Sequence, residues 1–147
     1  MIQVGTTDQL GEAREQTLAD PVLSVLGILV VLQIKHFICD YPLQTSYQLN
    51  NKGTYLHAGG ILHAGLHALF TTSAFLIVPP AFALGCGIVF GEFLLHYHID
   101  WAKEQLVRHM GWQPNQHPFW WLIGADQMLH HFTYIAIAAI LVGVIGF

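Results

Sequence analysis

Apolar residues in this chain gather into long continuous runs, separated by short stretches that carry prolines and polar side chains. The run Val22 to Ile38 is long enough to cross a bilayer, which takes ~17–25 residues. Asp20-Pro21 predicts its start, because Asp can cap a helix and Pro fits the first helical position. Tyr41-Pro42 predicts its end, because Pro disfavours helix in the residue before it. Leu43 to Thr54 is polar, carries Lys52 and Gly53, and reads as a loop or a short interfacial helix. A second run, Tyr55 to Val78, stops at Pro79-Pro80, which also open a third, Ala81 to about Ile99, in a tight hairpin. Trp101 to His109 continues the third as an amphipathic extension. Gly111 to Gly124 holds Trp112, Pro114, Pro118, Phe119, Trp120 and Trp121, and such aromatics gather at the membrane–water boundary. Met128 to Phe147 is the last run. The pattern predicts an all-α fold, an integral membrane bundle of four transmembrane helices in one domain, with spans at about 21–39, 55–78, 80–99 and 127–147. A polar segment, 1–20, precedes them, and an interfacial aromatic-rich segment separates helices 3 and 4.

Composition supports this reading. The chain of 147 residues is 54% hydrophobic and 10% charged, against about 25% charged in soluble domains. The net charge is −4 and the five Lys and Arg residues are scattered, so no clustered basic face points to nucleic acid. Met1 to Ala19 lacks the positive n-region and immediate apolar stretch of a secretory signal, so the first run is expected to be retained as an anchor. Lys35, Lys52, Lys103 and Arg108 fall on the side of the first and third loops, and Arg14 on the other. By the positive-inside rule, this places the chain in the inner or plasma membrane as a multi-pass protein with both termini outside. Cys39 and Cys86 have no partner spacing and read as free thiols. Small residues crowd the second span (Ala58, Gly59, Gly60, Ala64, Gly65, Ala68), and Gly87-x-x-x-Gly91 forms a small-xxx-small pair in the third, which predicts close helix approach.

The ionisable residues change the picture most. His36 and Asp40 end the first span, His57, His63 and His67 lie in the first half of the second, Glu92, His96, His98 and Asp100 end the third, and Asp126, Gln127, His130 and His131 begin the fourth. In an up-down bundle these positions share one side of the membrane, the cytoplasmic side in the orientation above. Intramembrane ionisable groups are costly and point to function. Residues four apart stack on one helix face, as do His36/Asp40, His63/His67, His96/Asp100 and Asp126/His130, with Glu92 extending the His96/Asp100 face. At ~1.5 Å per residue, His36, His96 and His130 lie within about a turn of the boundary, and His63 and Glu92 lie roughly 10–12 Å deep, with His67 deeper still. Imidazole with carboxylate is a transition-metal ligand set that suits zinc first, and iron or manganese as well. The candidate ligands are His36, Asp40, His63, His67, His96, Asp100, Asp126 and His130. Glu92 is the candidate general base, because burial favours its protonated form near neutral pH. Lys103 is the candidate for steering an anionic head group, with interfacial snorkelling as its plain alternative. His109 and His117 read as surface residues. Facing histidines also keep haem open, and a polar network that merely holds the helices together is the plain alternative to any metal.

The spaced set His36-x-x-x-Asp40-x-x-x-Gln44, Lys52, His63, His96-x-x-x-Asp100-x-x-Lys103 and Asp126-Gln127-x-x-His130 resembles a domain-of-unknown-function family of small bacterial and phage integral-membrane proteins, over about Ile34 to Tyr134. His57, His67, His98 and His131 lie outside that pattern. The resemblance implies a membrane fold and weight on the spaced residues, and no reaction. A looser likeness to small membrane proteins classed as metal-dependent hydrolases is an analogy only. The expectation drawn from the residues is a metal-dependent hydrolase of a lipid-linked or amphipathic substrate. The alternatives are a metal- or haem-binding or transport protein, and a small structural subunit of a larger membrane complex. Membrane lipid, other membrane subunits or further copies of the chain are the partners these readings imply.

Overall fold

Long apolar runs without strand-like alternation favour helices, and helices are what the chain forms. The computed structural model describes residues 6–143, and over residues 6–20 the course of the helix alone. The described elements are α1 (Thr6–Asp40), α2 (Ser46–Asn51), α3 (Ala58–Thr71) with a 3-10 extension (Thr72–Leu76), α4 (Phe82–Met110) and α5 (His117–Leu141), with no strand among the described residues. Side by side, α1 packs against α3 and α5, and α4 packs against the same two, so the four long helices close a ring, with α2 laid against α3.

Several boundaries differ from the sequence expectation. Helix α1 runs through Pro21 instead of starting there. Proline at that position lacks the one bond it would donate to a carbonyl a turn earlier, and the ladder continues beyond it. Helix α3 stops at Thr71 and tightens into a 3-10 turn. Thr71, Thr72 and Ser73 hydroxyls bond back to the carbonyls of His67, Leu69 and Phe70 at 3.1, 2.6 and 2.7 Å, which competes with the regular ladder. The aromatic segment is not a separate interfacial element. Helix α5 begins at His117 with Pro118 in its first turn, a position that does not need the missing N–H, so Phe119, Trp120 and Trp121 belong to the helix. The expected end of the last span at residues 144–147 lies outside the described residues. The polar stretch Leu43 to Thr54 does contain a short helix, α2, closed by a capping box between Thr45 and Gln48.

Two helices, over Pro21–Asp40 and Phe82–Met110, are long and apolar enough to cross a membrane. By the same measure α3 is too short, and α5 is interrupted by Asp126, Gln127, His130 and His131, which lower its mean hydropathy. The bundle has two layers. Ile28 and Leu32 of α1, Ala74 of the 3-10 turn, Ile88 of α4 and Tyr134, Ile137, Ala138 and Leu141 of α5 make an apolar core. The other layer buries Lys35, His36, His63, His67, Glu92, His96, Asp100, Lys103, Asp126 and His130. Outside, Val22, Leu26, Val30, Ile34 and Phe37 of α1 and Trp121, Leu129, Phe132 and Ile135 of α5 are exposed. In the second layer, polar and charged side chains are thus buried beneath an apolar exterior.

Close approach occurs at glycines other than the expected pair. A Cβ on Gly59 would lie 2.8 Å from the Tyr47 carbonyl oxygen, and one on Gly60 3.2 Å from the Tyr97 ring, whereas Gly87 and Gly91 have no neighbour within 4 Å. The tight contact therefore joins α2 to α3 beside the polar layer, and the face of α4 bearing Gly87 and Gly91 is open.

Candidate metal centre

Three helices deliver one tight donor group. Asp40 ends α1, His63 and His67 lie one turn apart on α3, and His96 comes from the middle of α4; one donor atom from each lies within 4.8 Å of the others. His63 Nε2 and His67 Nε2 are 3.4 and 3.2 Å from Asp40 Oδ1. His96 Nε2 is 3.4 Å from His63 Nε2. A tetrahedron with ~2.0–2.1 Å metal–nitrogen bonds has edges of about 3.3–3.4 Å, so three of the six donor separations are close to its edges. All three histidines are at most 2% exposed. The rings touch: those of His67 and His96 stack with centroids 3.7 Å apart. The Nδ1 atoms of His67 and His96 are buried without a hydrogen-bond partner. The donor types and their spacing suit a four-coordinate divalent ion, provided the stacked rings of His67 and His96 turn apart to present both nitrogens to it.

His36 stands behind this group. Its Nε2 lies 2.9 Å from Asp40 Oδ2 and 3.0 Å from Gln127 Oε1, and its Nδ1 lies 2.6 Å from the Tyr134 hydroxyl. With both nitrogens engaged, it orients Asp40 in the way an outer partner fixes a ligand. Gln44 Nε2 lies 3.4 Å from His63 Nε2.

Asp100, Asp126 and His130 form a second, adjacent group. Asp100 joins the two, with Oδ2 3.2 Å from His63 Nε2 and 3.7 Å from His96 Nε2, and Oδ1 3.4 Å from Lys103 Nζ. His130 stacks on His96 at 4.1 Å between centroids.

Among family profiles, that of DUF3307, proteins of unknown function, matches residues 28–145. The chain belongs to the DUF3307 family. Neither curated proteins nor solved structures give a match. The DUF3307 match spans every residue of both donor groups and, as the resemblance implied, brings no reaction with it. The chemistry has to be argued from the site.

The lysines correct the sequence reading of this DUF3307 chain. Lys35, Lys52 and Lys103, expected only as charges on the side of the first and third loops, are 3%, 7% and 8% exposed and turn into the polar layer. Lys35 Nζ lies 2.7 Å from Glu92 Oε1, and Lys52 Nζ lies 3.3 Å from both Asp100 oxygens. Lys103, expected to steer a head group or to snorkel, faces Asp100, Glu104 and Asp126. The charge bias behind the membrane orientation shrinks to Arg108 against Arg14 and no longer sets one. Glu92 lies behind His96, 4.0 Å from its Nδ1, with Oε2 unpartnered. Lys35 and Tyr134 were missed as site residues. The signal for Lys35 was available: a cation inside an apolar run requires a buried carboxylate. His57 caps α3 through Gly59, and His98 is exposed and bonds the Leu94 carbonyl. His131 borders the site from α5, its ring centroid 6.0 Å from that of His36, while His109 and His117 are exposed.

Proposed function

We propose that this is an integral membrane protein in which α1, α3 with its 3-10 turn, α4 and α5 cross the bilayer. Asp40, His63, His67 and His96 hold one divalent ion, zinc foremost, for hydrolysis of an amphipathic or lipid-linked ester. The observation that carries the metal assignment is the match of donor separations to the edges of a tetrahedral site. Length supports the spans: α3 rises about 21 Å at ~1.5 Å per residue and its 3-10 turn about 10 Å more at ~2.0 Å, together close to the ~30 Å hydrocarbon core. The apolar exterior supports the same reading.

Charge supports a single ion. The carboxylates Asp40, Glu92, Asp100 and Asp126 share the layer with three buried lysines, so with neutral imidazoles, and with the partly exposed Glu104 left to the rim, the layer carries one excess negative charge. One divalent ion turns this into one excess positive charge, which favours an anionic group on the substrate. A divalent ion here supplies Lewis acidity towards an ester or water. Asp100 is the carboxylate in direct reach of the donor group, 3.2 Å from His63 Nε2, whereas Glu92 lies behind His96; both are paired with lysine, so position alone puts Asp100 first as proton acceptor. Two apolar crevices, about 330 and 300 Å³, run end to end along the α4–α5 seam and share Leu95. Lys103 and Asp126 line the first and Glu92 the second, which gives a lipid chain lateral access to the layer. Direct contact between the histidine rings favours a bare ion over haem.

A second reading, a polar network that only holds the helices together, is favoured by the pairing of every buried lysine with a carboxylate. Elemental analysis and a visible spectrum of the purified protein separate the two: about one ion per chain is expected, with no haem absorption. Absence of metal after reconstitution with zinc, iron and manganese leaves the network reading in front. For catalysis, hydrolysis of chromogenic phosphate and carboxylate esters in lipid micelles is the assay. Asp100→Asn should keep the ion and lose at least ~10²-fold in turnover, the scale of general acid–base catalysis, and Glu92→Gln should lose less.

A further inference from the structure

The second donor group has no ion in the reading above, and its geometry is not that of a finished salt bridge. Asp100, Asp126 and His130 are 4%, 4% and 3% exposed, and their donor atoms lie within 4.8 Å of one another. Asp126 Oδ1 lies 3.5 Å from His130 Nε2 and has no hydrogen-bond partner. A buried carboxylate oxygen left without a donor is costly. Two ammonium groups face Asp100: Lys52 Nζ lies 3.3 Å from both of its oxygens, and Lys103 Nζ, which also reaches Asp126, lies 3.4 Å from Asp100 Oδ1 and 3.8 Å from Asp126 Oδ2, the oxygen to which Gln127 Nε2 donates at 3.2 Å. Charge-assisted pairs of this kind close to ~2.7–2.9 Å when they are fully made. Lys103 Nζ also lies 3.3 Å from Glu104 Oε1, whose side chain is 25% exposed, so the ammonium has somewhere to go towards the rim.

We propose that Asp100, Asp126 and His130 form a second divalent-cation site for which the Lys103 ammonium is the resident substitute, so that ammonium and metal exclude one another. The proposal rests on the reading that the first group holds its own ion. Asp100 links the two positions, one oxygen towards His63 and His96 and the other towards Lys103, with Lys52 Nζ 3.3 Å from both. The centre thus sets a metal and an ammonium on either side of one carboxylate, where a two-metal site would set two ions. A second metal added beside a retained Lys103 would leave three excess positive charges in a buried layer. Wild type is therefore a one-ion protein, and removing the ammonium opens the second site.

The test is zinc stoichiometry after equilibrium dialysis of the purified full chain in detergent. Wild type should hold one zinc, Lys103→Gln two, Lys103→Arg one, and Lys103→Gln with His130→Ala one again. The reading is the difference between Lys103→Gln and wild type. A difference of one that His130→Ala abolishes supports the second site even where wild type holds none, an outcome that removes the first site alone. No difference, or two zinc ions already in wild type, overturns the proposal. Asp126→Asn in the wild-type background should keep one zinc; its loss would show that both groups belong to a single site and overturn the proposal too. If Lys103→Gln folds only with zinc in every buffer, while Lys103→Arg folds without it, the expected replacement has been seen. Failure of Lys103→Gln to fold even with zinc counts against it.

Discussion

Replacing Lys35 with Met keeps the aliphatic stem and removes the only charge that answers Glu92. The pair is 2.7 Å long with side chains 3% and 1% exposed, and the second oxygen of Glu92 has no partner to fall back on. Lys35 also donates to the His67 carbonyl at 3.2 Å and lies 4.5 Å above the Tyr134 ring. Stranding one member of a buried pair costs about 3–5 kcal/mol, and the lost carbonyl bond about 1 kcal/mol. The single variant should therefore be destabilised by about 4–6 kcal/mol on these scales. Lys35→Met with Glu92→Leu removes both charges, and apolar replacement of a buried pair is often neutral or better. The double variant should return to within about 2 kcal/mol of wild type, a coupling of at least ~2 kcal/mol. Reversible unfolding in mixed micelles, with wild type, both singles and the double, measures this. If Lys35→Met costs under about 1 kcal/mol, or the two single costs simply add, the pair does not exist as described.

Two further outcomes follow from packing and topology. Gly59→Ala should lower stability by about 1–3 kcal/mol, the usual cost of overpacking, because its Cβ would lie 2.8 Å from a backbone oxygen; Gly91→Ala, which meets nothing within 4 Å, should be neutral or slightly stabilising, and paired thermal midpoints decide. With Cys86 replaced by Ser, cysteines at Thr54 and Gln113 should be labelled from one side of the membrane and a cysteine at Ala81 from the other; labelling of all three from one side refutes four spans.

The gathering of histidines and carboxylates into one layer was legible because the chain places them four apart at alternating ends of successive apolar runs. Helical periodicity and an up-down path then leave them little choice. His67, outside the spaced pattern of the resemblance, joins the donor group for the same reason: it lies one turn after His63. Which residue binds and which supports was not legible. His36 and His63 look alike in the sequence, and only packing puts Tyr134 and Gln127 on the ring of His36. The ion pairs of Lys35, Lys52 and Lys103 were not legible because a snorkelling lysine and a buried one have the same apolar neighbours; the difference lies in whether a carboxylate faces it. Gly87 and Gly91 satisfied a spacing rule, but the contact it anticipates depends on what lies opposite, and there the α4–α5 seam is open. The start of α5 at His117 follows a local signal that was passed over, Pro118 in the first turn, and α1 continues through Pro21 because a helix tolerates the loss of one ladder bond.

X-ray absorption at the metal edge of the zinc-loaded protein tests the central claim most directly. The account predicts three imidazole nitrogens and one carboxylate oxygen at ~2.0–2.2 Å, from His63, His67, His96 and Asp40, with one imidazole lost from the spectrum in His67→Ala and none in His109→Ala. A sulfur shell at ~2.3 Å, a first shell without imidazole, or a spectrum that His67→Ala leaves unchanged would contradict it.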